Sequence, residues 1–193
     1  PLLQLARQEG VPVEMEMSLF LRLAPGPVIG VTGTKGKTTT ATLLGLMLRQ
    51  WTPETRIAGN MGLPALTLLD DIDAETPVVL ELSSWQLEAM DEHRLSPHIA
   101  VITNVSPDHL NTYASFQEYA DTKRSIGAHQ TGLDALVINA DDPELRPLLD
   151  TATARVVPFG HSLSGKPGMT VIGRELLWRW EGAEETIELP KSS

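Results

Sequence analysis

Between residues 27 and 140 the apolar positions fall into short unbroken runs, separated by longer stretches of mixed character. The runs are PVIGVT (27–32), TRIAG (55–59), PVVLEL (77–82), HIAVIT (98–103) and ALVINA (135–140). A strand with one wet face alternates apolar and polar side chains, whereas one covered on both faces does not. The five runs therefore predict strands of a parallel sheet enclosed by helices. The stretches between them predict helices over 36–50, 62–69, 83–92, 115–129 and 143–149. Alternation of this kind specifies an α/β fold with a doubly wound, mainly parallel sheet.

The pattern changes at both ends. Leu2, Leu5 and Ala6 suit a short helix closed by Gly10. VPVEMEMSLFLRL is ambiguous until Pro25, Gly26 and Pro27 stop it. Residues 1–25 read as a segment arriving from a preceding domain, and 26–190 as the main domain. After residue 154, RVVPFG, MTVIG, ELLWRW and ETIEL are short and punctuated by glycine. They predict a small β-rich part over 154–190, with GREL at 173–176 turning a hairpin. The chain opens at PLLQLARQEG without methionine and stops at ELPKSS, which reads as a piece of a longer protein.

Composition narrows the function. Apolar residues make up 41% and charged residues 21% of the 193 positions, ordinary values for a globular protein. Twenty-five acidic against 15 basic residues give a net charge of -10, with no run of Lys or Arg. That excludes a general nucleic-acid binder, so any polyanionic ligand must be held by a local device. With no cysteine, disulfide scaffolds and thiolate metal sites are excluded. There is no basic-then-apolar leader, and no apolar run nears the ~20 residues that span a bilayer. The expectation is a soluble, cytoplasmic monomer.

A local device is present. VTGTKGKTTT places Gly33-Thr34-Lys35-Gly36-Lys37-Thr38-Thr39 between the first strand and an apolar helix. The common phosphate loop is G-x-x-x-x-G-K-[ST]. Gly36, Lys37 and Thr38 fill its last three positions, but Val31 stands where its first glycine belongs. The compact version keeps the chemistry. Glycines let backbone N–H groups face an anion, and the helix start adds unpaired N–H groups. Lys37 can reach a terminal phosphate, and the Thr38 hydroxyl can bind Mg²⁺. The alternative is a glycine turn with a threonine cap.

The other strands end in polar groups where a ligand in this fold would lie. Asn60 follows the second strand. Glu81 lies in the third, with Ser83, Ser84 and Gln86 just beyond. Asp108 and His109 follow the fourth, and the helix from 115 carries Lys123. Each has a plainer reading taken singly: a turn residue for Asn60, a solvent-facing carboxylate for Glu81, a loop residue for His109 and a helix-surface lysine for Lys123.

Taken in order, GTKGKTTT, AGNMGLP, ELSSWQLE, TNVSPDHL and SFQEYADTKRSI resemble the Mur ligases of peptidoglycan synthesis. The compact loop belongs to that family's pattern, with Lys35 where an Asn is common. The leading VPVEMEMSLF is similar to the family's linker before its phosphate loop, and NADDPELRPLL to a later strand and helix. The resemblance implies a three-domain enzyme of which this is the central ATPase domain, with the UDP-binding and C-terminal domains absent. The forms ELSSWQLE, NVSPDHL and EYADTK imply the members that join D-glutamate to UDP-N-acetylmuramoyl-L-alanine through an acyl phosphate.

It also implies roles. Lys37 and the loop from Gly33 to Thr39 would bind ATP phosphates. Thr38 and Glu81 would hold one Mg²⁺. His109 and a carbamylated Lys123 would hold a second. Asn60, Ser83, Gln86 and His109 would face the nucleotide-sugar substrate, and Asp108 would support His109. Lys37, Glu81, His109 and Lys123 would form the catalytic set. The rivals are a folylpolyglutamate synthase, a plain phosphate-loop kinase and a non-catalytic nucleotide-binding module.

Overall fold

The computed structural model describes residues 2–108, 112–163 and 166–190. Among them, nine strands form one sheet in the order β2-β3-β1-β4-β5-β6-β7-β8-β9. The central five are β1 (Val28–Thr32), β2 (Arg56–Gly59), β3 (Val78–Glu81), β4 (Ile99–Ile102) and β5 (Ala135–Asn139), all parallel to their neighbours. Every residue of β1 and β3 is buried, as their unbroken apolar runs require. Side chains alternate between two cores. Val28, Val78, Leu80 and Ile102 pack with Phe20, Leu87, Met90 and Ile126 on one face, while Ile29, Val31, Val79 and Val101 pack with Ala41 on the other. Each fully buried aliphatic side chain contributes roughly 1.5–3 kcal/mol.

Register fixes where the loops meet. Val31 pairs with Glu81, Gly59 with Glu81, and Thr32 with Ile102. The carboxyl ends of β2, β3, β1 and β4 are therefore level. The chain leaves β1 for the β2–β3 side and later crosses to β4 on the other side. Such a switch point opens a crevice at the strand ends.

The helices are α1 (Leu2–Gln8), α2 (Glu16–Leu23), α3 (Lys37–Leu48), α4 (Ser84–Glu92), α5 (Phe116–Arg124) and α6 (Leu148–Thr151). Three expectations shift. The helix expected over 62–69 is a 3-10 segment at Ala65–Asp71, because Pro64 cannot stand inside it and instead precedes its start. The one over 115–129 ends at Arg124 and finishes as a 3-10 turn at Ser125–Gly127. The one over 143–149 shrinks to the four residues of α6, since Pro147 lacks the N–H that would continue a helix begun at Pro143. The ambiguous leading segment resolves as α2, whose Met17 and Phe20 join the core.

The last strands are β6 (Arg155–Phe159), β7 (Gly168–Ile172), β8 (Glu175–Trp180) and β9 (Ala183–Glu188). They extend the main sheet instead of forming a separate layer. β6 is parallel to β5, whereas β7, β8 and β9 form an antiparallel meander. The hairpin expected at GREL is present, with Ile172 paired to Glu175. No helix among the described residues is long and apolar enough to cross a membrane.

Candidate functional site

After Thr32 the chain turns through 33–36 and enters α3 at Lys37. Gly33 has φ +145°, and a Cβ there would lie 2.0 Å from Thr103 Oγ1. Gly36, at φ +82°, is the residue from which the helix starts. The Lys37 ammonium folds back over the loop and donates to the Gly33 and Thr34 carbonyls, each at 3.0 Å. The first helical bond runs from Thr40 N–H to the Gly36 carbonyl. The N–H groups of Lys37, Thr38 and Thr39 therefore have no acceptor within the helix and form an anion-receptive end.

Glu81 is 3% exposed and carries a hydrogen bond on each carboxylate oxygen. Thr38 Oγ1 donates to Oε2 at 2.7 Å, and Asn60 Nδ2 to Oε1 at 2.9 Å. The reading of Glu81 as a solvent-facing strand end is thereby excluded. Asn60 closes the turn after β2 and orients this carboxylate as well.

Lys123 is 2% exposed, so it is no surface lysine. Its amine donates to Thr32 Oγ1 at 3.3 Å and lies 5.4 Å from the centre of the Tyr119 ring. Burial, and then the neighbouring Lys37 charge, pull its pKa down to about 8, while Asp108 and Glu81 pull it partly back. An amine so placed is partly neutral, hence nucleophilic, near pH 8. The Tyr119 hydroxyl lies 3.3 Å from Thr34 Oγ1. Tyr113 packs edge-on against the Tyr119 ring and donates to Glu88 at 2.5 Å.

A brace missed by the sequence reading holds the loop from the β4 side. Asn104 accepts from Lys35 N–H through Oδ1 at 3.0 Å, donates to the Lys35 carbonyl through Nδ2 at 2.9 Å, and accepts Thr34 N–H on its own carbonyl at 2.8 Å. Thr103 Oγ1 also donates to the Lys35 carbonyl, at 2.8 Å. The amides of Thr34 and Lys35 are thus given to Asn104, while those of 37–39 face outward. Asp142 in turn accepts Val105 N–H at 2.6 Å and Glu144 N–H at 2.9 Å. Asn104 lies just past β4, and only the pairing of β4 with β1 sets it level with the loop.

Lys37, Asn60, Ser83, Ser84, Trp85, Tyr119 and Lys123 line a cavity of about 250 Å³. Ser83 also caps α4, and the Gln86 side chain accepts from Ser83 N–H at 2.8 Å and Ser83 Oγ at 2.9 Å. Gln86 is therefore engaged at the helix start. His109 lies outside the described residues, and Asp108 acts on Lys123 through its charge. Among the described residues no three His, Asp or Glu side chains cluster as a metal cage. The Thr38 hydroxyl and the Glu81 carboxylate, 2.7 Å apart beside the helix start, are oxygen donors of the kind that could hold a hard cation sharing phosphate oxygens and water. A larger cavity, about 610 Å³, opens beside β6 between Arg146 and Trp180 and contains none of these groups.

The sequence profile of the Mur ligase middle domain matches residues 31–169. The chain is 48% identical over 179 residues to the UDP-N-acetylmuramoylalanine--D-glutamate ligase of Roseiflexus sp. (strain RS-1), covering 92% of this chain and 38% of that protein. It is 44% identical over 189 residues to the ligase of the same name from Symbiobacterium thermophilum, covering 97% and 41%. The chain thus spans about two fifths of the length of these curated relatives. Among solved structures, MurF from Acinetobacter baumannii superposes with a TM-score of 0.64 at 20% identity, over 92% of this chain and 40% of that one.

Proposed function

Because the chain belongs to the Mur ligase family through its middle domain, we propose that it is the ATP-binding portion of a cytoplasmic, monomeric ligase. That enzyme joins D-glutamate to UDP-N-acetylmuramoyl-L-alanine, as the names of its relatives suggest. The substrate carboxylate attacks the γ-phosphorus of ATP, giving an acyl phosphate and ADP. The amine of D-glutamate then attacks the acyl carbon, and phosphate leaves as the amide forms.

The residues divide this work. Amides 37–39 and the Lys37 ammonium bind the phosphate chain, for which Lys37 exchanges its two loop carbonyls for phosphate oxygens. Thr38 and Glu81 fit one Mg²⁺, since a hydroxyl and a carboxylate 2.7 Å apart already face one another beside the phosphate site. Asn60 holds Glu81 in place and, with Ser83, borders the acceptor. As an ammonium Lys123 repels cations. Addition of carbon dioxide to its neutral nitrogen, with release of one proton, gives an anionic carbamate suited, with His109, to a second Mg²⁺. Bound magnesium would offset the repulsion between substrate carboxylate and triphosphate.

The observation that carries this reading is the buried Lys123 amine, 3.3 Å from Thr32 at the end of the phosphate-loop strand. A kinase that phosphorylates a hydroxyl has no use for it there. The test is ligation by the full-length protein that carries this chain. Sustained turnover of ATP to ADP and phosphate should require UDP-N-acetylmuramoyl-L-alanine and D-glutamate together, and a folate acceptor should not replace them. Lys123→Ala should abolish ligation, and short carboxylic acids should restore part of it. Full activity of Lys123→Ala would remove the carbamate from the proposal.

A further inference from the structure

We infer that Trp85 is a binding wall for the sugar portion of the acceptor substrate, a role that rests on the ligase reading above. Trp85 is 61% exposed, in the first turn of α4. Its helix buries Ser84, Leu87 and Met90, so the core makes no use of the indole. Trp51 is also exposed but does not line the cavity described above. Trp85 lines the cavity that holds Lys37, Asn60, Ser83 and Lys123.

The helix start that carries it is fixed. Ser83 and Gln86 close a capping box around it, so the indole is presented from a rigid base. The cavity is two-sided in character. Lys37, Lys123, Asn60 and Ser83 supply charge and hydrogen bonds, while Trp85 and Tyr119 supply aromatic surface. Tyr119 is buried and held between Thr34 and Tyr113, whereas Trp85 is largely exposed. Such a cavity suits a ligand with an anionic end and a C–H face. The anionic end is the carboxylate that must reach the phosphate held by Lys37, and the C–H face is the sugar behind it. The position on the β2–β3 side of the loop, next to Asn60 and Ser83, sets Trp85 against the acceptor and not against the nucleotide.

The experiment uses the full-length ligase. Trp85→Ala should raise KM for UDP-N-acetylmuramoyl-L-alanine about tenfold and leave KM for ATP within about twofold, with Trp85→Phe recovering most of the loss. Binding is read separately by tryptophan fluorescence during titration with the nucleotide sugar in the absence of ATP. The wild-type change should vanish in Trp85→Phe, although Trp51, Trp178 and Trp180 remain. A parallel rise in both KM values, no rise in either, or an unaltered fluorescence response in Trp85→Phe would overturn the assignment. If the wild type turns over normally and Trp85→Ala is indistinguishable from it, this inference alone fails. If the wild type does not use the nucleotide sugar at all, the ligase reading fails and takes this one with it.

Discussion

Thr38 and Glu81 are 43 positions apart in sequence, yet the threonine hydroxyl donates to the carboxylate at 2.7 Å. The contact is a product of topology. β1 and β3 run parallel with Val31 opposite Glu81, so the helix that follows β1 begins directly beside the end of β3. With Asn60 on its second oxygen, the carboxylate is oriented before any ligand arrives.

Glu81→Gln keeps the shape and removes the charge. Folding should be nearly unaffected, because the amide oxygen can still accept from Asn60 while its NH2 donates to the Thr38 hydroxyl oxygen. Ligation should fall by about 10²–10³, the loss typical of one preorganised charge-stabilising group. Nucleotide binding measured calorimetrically with and without Mg²⁺ separates the roles. Metal-free affinity should hold, while the gain on adding Mg²⁺ should disappear. A Glu81→Gln protein that keeps the Mg²⁺ gain would refute the ligand role.

Lys123 makes a prediction about stability and pH. Its folded pKa, about 8, lies below the ordinary lysine value of 10.5. Between these values the unfolded chain binds the proton and the folded one does not, so unfolding free energy rises with pH across this window. Below pH 8 the buried ammonium is a full penalty. Lys123→Met should therefore be more stable than wild type at pH 7, by about 1–3 kcal/mol. The gap should close as pH rises from 8 towards 10.5. Denaturant titrations in buffers free of carbon dioxide provide the measurement, and a gap independent of pH would show that burial does not set this amine's proton affinity.

Asn104 should control the phosphate loop without touching the phosphate. Asn104→Ala removes both side-chain bonds to Lys35 and should weaken ATP binding about tenfold, as expected for two lost hydrogen bonds. Asn104→Asp should be worse than alanine, since it loses the donor to the Lys35 carbonyl and sets a negative charge beside an anion site. The order of dissociation constants, wild type below alanine below aspartate, is the readout. Equal affinities in all three would mean that the loop keeps its shape without the brace.

Much of this site was readable in the sequence, and the reason lies in which residues break a pattern. Glu81 interrupts a buried apolar run, and Gly33 to Thr38 interrupt a strand–helix boundary, so both stand out locally. Lys123 stood out only through its order relative to the other motifs. Nothing in QEYADTKR says that this lysine, and not its neighbour Arg124, faces the core. Asn104 and Asp142 were not read as site residues, because a polar side chain after a strand is ordinary. Their meaning comes from the pairing of β4 with β1 and from the turn after β5, which are tertiary facts. The helix over 143–149 failed for a local reason that was visible, namely Pro147.

Gly33 and Gly36 are both left-handed glycines of one loop, yet they should respond differently to alanine. At Gly33 the added methyl would lie 2.0 Å from Thr103 Oγ1 and close to the Asn104 backbone, in addition to the strain of φ +145°. Thr103 holds the Lys35 carbonyl, so relieving the clash breaks the brace. Gly33→Ala should lose about 2–4 kcal/mol of stability and nearly all nucleotide binding. At Gly36 a methyl meets nothing within 4 Å, so only the cost of φ +82° remains. Gly36→Ala should lose about 1–2 kcal/mol and stay folded. Thermal unfolding of the two variants side by side checks this, and equal losses would show that backbone strain, not the contact with Thr103, demands glycine at 33.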